Sequence, residues 1–378
     1  MPQCAPRALT AYSRLMSLHI WMRSETKPGE ARAPLSPESA AVLVEHGVEL
    51  TVESSPCRVF TDPAYAEVGC RLVQAGTWVD APASAFILGL KELPEWPAGP
   101  LRHRHVYFAH CYKGQAGAGL LLSRFRAGGG SLLDLEYLVD ERGERGAAFG
   151  YWAGFVGAAL AALAWSAQAG PEPLGPLRPY SDSKALLEVA AAALARAERN
   201  GRAYPKALVI GAAGRSGQGA AALLRALGVV TTHWDRAETL AGGPFAEVLE
   251  HELLLNCVLV RAPTKPFLVR GQLSLRRALR VVVDVSCDVR GPHNPLPLHD
   301  AFTTFQSPTA RLVDEPPLDI VTIDNLPSLL PAESSRDFSS QLLPHLLRLD
   351  QEGAWAPAAS LFRSMSGASR GAGAPLVV

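Results

Sequence analysis

The six cysteines, Cys4, Cys57, Cys70, Cys111, Cys257 and Cys287, form no CxxC pair and no His/Cys group with metal-ligand spacing. This excludes a sequence-encoded zinc ribbon or dithiol redox motif and fits scattered small apolar residues in a reducing compartment, with no structural metal. Neither sign of charge is in excess. Lys+Arg and Asp+Glu both total 36, and no basic run is interleaved with aromatics. A nucleic-acid track is therefore not expected, and a small-molecule partner is. No internal repeat breaks the chain. One long stretch, Ala147 to Ala169, is nearly uncharged and long enough to cross a bilayer. It consists mostly of Ala and Gly, which gain little from lipid, so a helix buried against a sheet is expected instead of a membrane span. Residues 1–17 carry Arg7 and Arg14 but no acid and no apolar core of a secretory signal, which suggests a loose tail or a start at Met16.

What is present is a chain of 378 residues, 48% hydrophobic and 19% charged, enough for two compact domains each with its own core. His19 to Arg23 reads as a short strand, followed by a charged loop. Ser36 and Pro37 then open a helix that Gly47 closes, with Leu43 and Val44 on its inner face. Apolar strand cores recur at Phe86 to Leu88, Val106 to Phe108 and Leu132 to Leu138, with helical stretches between them, the rhythm of a parallel sheet. Beyond a Pro/Gly-rich loop from Gly170 to Pro179, Ser181-Asp182 caps an Ala-rich helix running to Asn200-Gly201. Strands are then expected at Lys206 to Ile210, Val229 to Trp234, Leu253 to Val260 and Val281 to Val285, with a helix from Gly217 to Leu227. The Gly/Ala-rich tail after Met365 reads as mobile.

The strand ending at Ile210 runs into Gly211-Ala212-Ala213-Gly214-Arg215-Ser216-Gly217 and then an Ala/Leu helix. Such a turn lets backbone N–H groups and a helix N-terminus approach a pyrophosphate unobstructed. The spacing GxxGxxG departs from GxGxxG, and glycine turns also occur where no nucleotide binds. Asp235, closing the next strand, supplies an acid where ribose hydroxyls are bound, and an acid there favours NAD over NADP because a 2′-phosphate would meet a like charge.

Two polar clusters follow apolar strand cores: Gly89-Leu90-Lys91-Glu92 and His110-Cys111-Tyr112-Lys113. The carboxyl ends of parallel strands line a ligand crevice, so Lys91 and His110 could face one cavity. Amine oxidation needs one group to take the ammonium proton and another to move protons during imine hydrolysis, and a lysine and a histidine supply both functions. On the residues alone, a single Lys at a strand end is ordinarily a surface charge and a single His a satisfied structural group. Arg32 and Arg145 are candidates for bidentate capture of carboxylates. Glu92 and Glu136 could tune the charge of Lys91 and His110, and Glu136 sits in what reads as an apolar strand.

The run Arg23-Ser24-Glu25-Thr26-Lys27-Pro28-Gly29-Glu30-Ala31-Arg32 resembles the N-terminal signature of the lysine-forming saccharopine dehydrogenases, relatives of alanine dehydrogenase. The match continues through Gly89-Leu90-Lys91-Glu92, Phe108-Ala109-His110-Cys111-Tyr112-Lys113 with Gln115-Ala116-Gly117, Ala147-Ala148-Phe149-Gly150, Gly242-Gly243-Pro244-Phe245, Val283-Asp284-Val285-Ser286, Pro292-His293-Asn294-Pro295 and Leu326-Pro327-Ser328-Leu329-Leu330-Pro331. It covers about Leu18 to Phe362, in order. The resemblance implies an α/β fold of two Rossmann-like domains with parallel sheets and an inter-domain cleft, residues 149–333 forming an NAD-binding domain inserted into a substrate-side domain of residues 1–148 plus 334–378. It implies Lys91 as general base and His110 as general acid/base. Arg32, Lys113, Gln115, Arg145, Phe149, Ser286, Cys287 and Asp288 would line the substrate pocket, with Glu92 and Glu136 tuning charge. Gly211, Gly214, Arg215, Asp235, Thr239, Ile323, Asp324, Asn325 and Leu326 would contact NAD. Saccharopine, lysine and 2-oxoglutarate are the implied small molecules, and the implied enzyme is a cytoplasmic monomer of lysine biosynthesis. Two departures stand out: Glu144-Arg145 where the family carries an Arg pair, and Asn325 where it carries His. A dehydrogenase of another amine or keto acid, or a non-catalytic NAD-binding regulator, stays open as an alternative.

Overall fold

The computed structural model describes residues 18–94, 98–140, 142–170, 172–258, 260, 263–287, 289, 291, 293–351 and 353–367. In chain order its principal elements are β1 (His19–Met22), α1 (Pro37–Glu45), β2 (Glu49–Glu53), α2 (Asp62–Glu67), β3 (Arg71–Val73), β4 (Phe86–Leu88), β5 (Arg104–Tyr107), α3 (Ala118–Gly128), β6 (Ser131–Asp134), α4 (Gly150–Ala167), α5 (Ser183–Arg199), β7 (Lys206–Ile210), α6 (Arg215–Ala226), β8 (Val230–Trp234), α7 (Arg236–Thr239), β9 (Leu253–Asn256), β10 (Val281–Asp284), β11 (Ala310–Val313), β12 (Leu318–Val321), α8 (Pro331–Leu346) and α9 (Ala356–Ser366). The chain divides into two compact units, Met1–Ala148 with Ser335–Val378, and Phe149–Ser334.

The first unit is built on a six-stranded sheet of order β3-β2-β1-β4-β5-β6, every pairing parallel. Ile20, Met22, Ile87, Leu88, Val106 and Tyr107 are essentially inaccessible, as expected where helices cover both faces of a parallel sheet. The strand order reverses between β1 and β4, and in a doubly wound sheet the carboxyl ends at that reversal form the ligand crevice. α1 begins as its sequence dictates: the Ser36 hydroxyl accepts the Ser39 N–H at 3.3 Å and Pro37 occupies the first turn.

The second unit holds a six-stranded sheet of order β11-β12-β10-β9-β7-β8. Five of these strands run parallel, as expected, and β11 adds an antiparallel edge by pairing with β12. Central strands β9 (LLLN) and β10 (VVVD) are buried along their whole length. Helix α4 is the one helix among the described residues long and apolar enough to span a membrane, yet 72% of that span is buried, packed on α6, β9 and β10. Its small residues allow this closeness. A Cβ on Gly154 would lie 1.7 Å from the Ser216 carbonyl oxygen of α6, and one on Gly219 would lie 1.9 Å from that of Tyr151 in α4. The backbones of the two helices therefore touch.

Several expected boundaries move. β6 ends at Asp134 instead of continuing to Leu138, because the Asp134 side chain accepts the Glu136 N–H at 2.9 Å and turns Leu135–Tyr137 into a 3₁₀ segment. Glu136 is thus in a strand-end loop and not within a strand. Helix α6 starts two residues before Gly217, since Gly214 already has the extended backbone of an N-cap. β9 stops at Asn256, whose side chain joins a polar network where Cys257 to Val260 were expected to continue the strand. Asp288, the 1–17 tail and the last residues of the C-terminal tail lie outside the described residues.

Candidate active site

The carboxyl ends of β1, β4, β5 and β6, four neighbours in the first sheet, carry Arg23 to Glu25, Gly89 to Glu92, Phe108 to Lys113 and Asp134 to Glu136 respectively. Adjacency of β4 and β5 is what brings Lys91 and His110 to one edge although they lie 19 positions apart in sequence. His110 takes a left-handed backbone conformation, with φ of 47°, which a non-glycine residue adopts only where its surroundings hold it. Its Nδ1 lies 2.5 Å from Glu92 Oε1, and its ring stacks against Phe108. Glu92 Oε2 in turn sits 3.5 Å from the Lys27 ammonium. Burial would raise the Glu92 carboxyl, but the His110 hydrogen bond and the nearby cations overcome it and bring the carboxyl down to about 2. Glu92 is therefore ionised throughout the neutral range and holds Nδ1 of the His110 ring.

The charge of Lys91 also acts on a buried carboxylate, Glu30. Glu30 is buried and accepts the Arg32 backbone N–H at 3.0 Å, Arg32 Nε at 2.8 Å and Arg32 Nη2 at 2.6 Å. Burial works against ionisation of Glu30, but Arg32, with a smaller contribution from Lys91, holds the carboxyl below its ordinary range. The Arg32 edge expected to grip a substrate carboxylate is thus occupied by Glu30. Glu136 binds the Lys113 ammonium at 2.6 Å and the Arg145 guanidinium at 3.1 Å, and Gln115 Oε1 accepts the Lys113 N–H at 2.7 Å. Arg145 is placed by a tight reversal in which Asp140 Oδ1 accepts the N–H groups of Arg142 and Glu144, leaving Glu144 exposed. The first unit therefore gathers Arg32, Lys91, Glu92, His110, Lys113, Gln115, Glu136 and Arg145 at one sheet edge. Phe149, Ser286 and Cys287 belong to the second unit.

Sequence reasoning passed over Asp134. This acid is fully buried beneath the His110 and Glu136 loops and accepts the Glu136 N–H. Burial first, and then the Glu136 charge, push it up to about 6, against the Glu136 and Ala109 N–H groups and His110, which favour its ionised form. A folded-state pKa above the unfolded one means that the folded protein binds the extra proton between about pH 4 and 6, so stability from this group is full below that window and declines as pH rises through it. The shift corresponds to at most about 3 kcal/mol. Asp134→Asn should match the wild type in Tm near pH 4 and exceed it increasingly towards pH 7. A Tm difference that does not change with pH would count against this.

In the second unit, Gly211 leaves β7 with φ of 85°, where a Cβ would lie 2.9 Å from the Val258 side chain, and a Cβ on Gly217 would lie 2.1 Å from the Gly211 carbonyl oxygen. The turn is compact for want of side chains. Gly214 caps α6 without a side-chain acceptor, so the start of this twelve-residue helix, with Arg215 in its first turn, fits an anionic pyrophosphate. Asp235 accepts the Ala213 N–H at 3.1–3.2 Å, its own N–H is accepted by Glu238 Oε2 at 2.7 Å, and Thr239 Oγ1 donates to the Asp235 carbonyl at 2.7 Å. The acid is thereby fixed at the β8 end, next to the turn. At the ends of β9 and β10, Asp284 accepts Asn256 Nδ2 at 2.9 Å and Ser286 Oγ at 2.7 Å, and Cys287 follows with φ of 56°. Asn256 is a further residue the sequence did not single out. After β12, Asn325 Nδ2 reaches Ser328 Oγ at 3.3 Å, whereas Ile323 and Leu326 are core side chains that could meet a ligand only through their backbone.

A sequence model of the family described as alanine dehydrogenase/PNT, N-terminal domain, matches residues 21–156. Among curated proteins, a saccharopine dehydrogenase [NAD(+), L-lysine-forming] of Schizosaccharomyces pombe is 43% identical over 364 residues, covering 93% of this chain and 99% of that protein. The enzyme of the same name from Emericella nidulans is 45% identical over 360 residues, covering 91% and 96%. Among solved structures, an L-alanine dehydrogenase aligns with TM-score 0.64 at 20% identity over 90% of this chain and 94% of that one, a likeness of fold. With identity of this level along nearly the full length of both partners, the chain belongs to the family of NAD-dependent, L-lysine-forming saccharopine dehydrogenases.

Proposed function

We infer that this protein oxidises L-saccharopine with NAD and water to L-lysine, 2-oxoglutarate, NADH and a proton, reversibly. The observation that carries the reading is the pair of neighbouring strand ends bearing Lys91 and the Glu92-bound His110, within a chain that aligns end to end with enzymes of that name. Lys91 removes the proton from the secondary amine of saccharopine. Bound NAD would supply the acceptor for the hydride that leaves the glutarate Cα. Glu92 occupies Nδ1 of His110, so Nε2 is the nitrogen that takes a proton from water attacking the imine and returns it to the departing lysine amine. Arg145, Lys113 and Gln115 bind substrate carboxylates. Arg32, held by Glu30, contributes positive charge rather than a bidentate grip, and Glu136 sets the charge around Lys113 and His110.

In this reading the first unit handles substrate and the second holds the dinucleotide. Gly211, Gly214 and Arg215 would meet the pyrophosphate, Asp235 and Thr239 the adenosine side, and Ile323, Asp324, Asn325 and Leu326 the remainder. The enzyme is taken as a cytoplasmic monomer, which size-exclusion chromatography at 40.3 kDa would match. Assays supplying NADH with lysine plus 2-oxoglutarate, or with pyruvate plus ammonia, discriminate substrates: the first pair should consume NADH and the second should not. Preferential turnover of pyruvate and ammonia overturns the proposal. Asp235 sets the cofactor: Asp235→Ser should weaken NAD about tenfold by loss of a charged acceptor and improve NADP relative to NAD by about 10- to 100-fold. Steady-state KM values for both dinucleotides check it, and an unchanged ratio contradicts the role of Asp235.

A further inference from the structure

The Lys91 backbone is held by an ion pair from the segment just beyond β1. Glu25 Oε1 accepts the Leu90 N–H at 2.7 Å and Oε2 accepts the Lys91 N–H at 2.9 Å, while Arg23 Nη2 donates to the Lys91 carbonyl. Arg23 Nη1 stands 3.5 Å from Glu25 Oε1, with side-chain exposures of 1% for Arg23 and 7% for Glu25. One buried guanidinium–carboxylate pair at the end of β1 therefore takes both the donor and the acceptor of Lys91. Gly89 makes the arrangement possible, since a Cβ there would fall 2.4 Å from Arg23 Nε. Around this clamp the ladder continues, with Arg23 N–H on Leu88 O, Gly89 N–H on Val106 O and Phe108 N–H on Leu90 O.

We propose that Arg23 and Glu25 are positioning residues for Lys91, fixing its peptide at the β1/β4 strand reversal so that its amine is delivered to the substrate nitrogen. The inference rests on the reaction assigned above. A lysine side chain has four rotatable bonds and no shape of its own to aim it, so the direction of its Cα–Cβ bond decides where the amine can reach. Loop residues beyond a strand end are ordinarily the most mobile part of a sheet. Here charge-assisted hydrogen bonds in a dry setting, stronger than neutral ones, replace that freedom with a single geometry. The Arg-x-Glu spacing fits this role, because alternate residues leave an extended chain on the same side and both groups reach over the neighbouring strand end together.

The test uses the full chain and two readouts. Amide hydrogen exchange in the wild type should show Leu90 and Lys91 protected, and Glu25→Gln should accelerate exchange there, because an NH2 donor replaces one of the two accepting oxygens and the charge is lost. In the same variant kcat for saccharopine oxidation should fall about 10- to 100-fold, with the Kd for NAD, measured by fluorescence titration, changed less than about twofold. Arg23→Lys should show the same split, and Glu25→Asp should recover part of kcat. Rapid exchange of Leu90 and Lys91 in the wild type, or an unchanged kcat in a folded Glu25→Gln protein, overturns the proposal. If Glu25→Gln fails to fold by circular dichroism, Arg23→Lys and Glu25→Asp decide by the same criteria. A wild type that does not turn over saccharopine refutes the functional reading alone, and the exchange measurement then still decides whether the clamp exists.

Discussion

Turnover of saccharopine by Lys91→Met is expected to fall about 100- to 10,000-fold relative to the wild type, the usual contribution of a positioned acid–base group. Methionine keeps the length and much of the volume of the lysine stem and removes only its proton-accepting nitrogen. The backbone contacts to Glu25 and Arg23 involve the Lys91 peptide and survive the change. Tm should stay close to that of the wild type, and NAD affinity should be unaffected, because Lys91 lies in the first unit and the glycine turn in the second. A matching loss in His110→Gln, with the double variant no worse than the poorer single one, would identify the two as parts of one proton-transfer device. Retained kcat in Lys91→Met would remove Lys91 from the mechanism while leaving the family and the fold untouched.

The second large effect concerns stability. Gly154→Ala adds one methyl group where the Ser216 carbonyl oxygen lies 1.7 Å from the Cβ position, in backbone contact between α4 and α6. Helix propensity alone would favour alanine by about 1 kcal/mol. The clash must be relieved by moving rigid backbone apart, which places it at the upper end of overpacking costs, about 3 kcal/mol. The net expectation is a loss of about 2 kcal/mol, readable as a lower urea midpoint. Because Ser216 lies in the first turn of α6, NAD binding should weaken in the same variant. Gly175→Ala serves as the control: nothing lies within 4 Å of its Cβ position, and it should change stability by less than about 0.5 kcal/mol. Equal midpoints for Gly154→Ala and the wild type would show that the helices yield more easily than their contact implies.

Much of the site is legible in the sequence because the chemistry sits at strand ends, and strand ends announce themselves as apolar runs broken by polar residues. Phe86 to Leu88 followed by Lys91-Glu92, and Val106-Tyr107 followed by His110, are of this kind. The glycine turn is legible for a related reason: Gly211, Gly214 and Gly217 each mark a place where backbone meets backbone or a helix opens. What stays hidden depends on which strands are neighbours. Arg23 and Glu25 reach residues 65 to 68 positions away only because β1 lies beside β4, and local pattern does not encode that order. Asp134 is obscured by an apolar surround in which Leu132 to Leu138 read as one strand; its own side chain ends that strand and displaces Glu136 into the loop. Arg32 differs in detail from expectation because its partner Glu30, two residues away, reads as one more charge in a solvated loop, whereas both are buried together. The antiparallel β11 is joined to β12 by only Asp314 to Pro317, a connection too short for a parallel pair, but neither strand has the long apolar run by which the others are read.

The most direct trial of the account is product stoichiometry. Purified enzyme incubated with saccharopine and NAD should release lysine, 2-oxoglutarate and NADH in equal amounts, with no NADH formed when saccharopine is replaced by alanine. NADH appearing with alanine but not with saccharopine, or appearing without lysine, would contradict it.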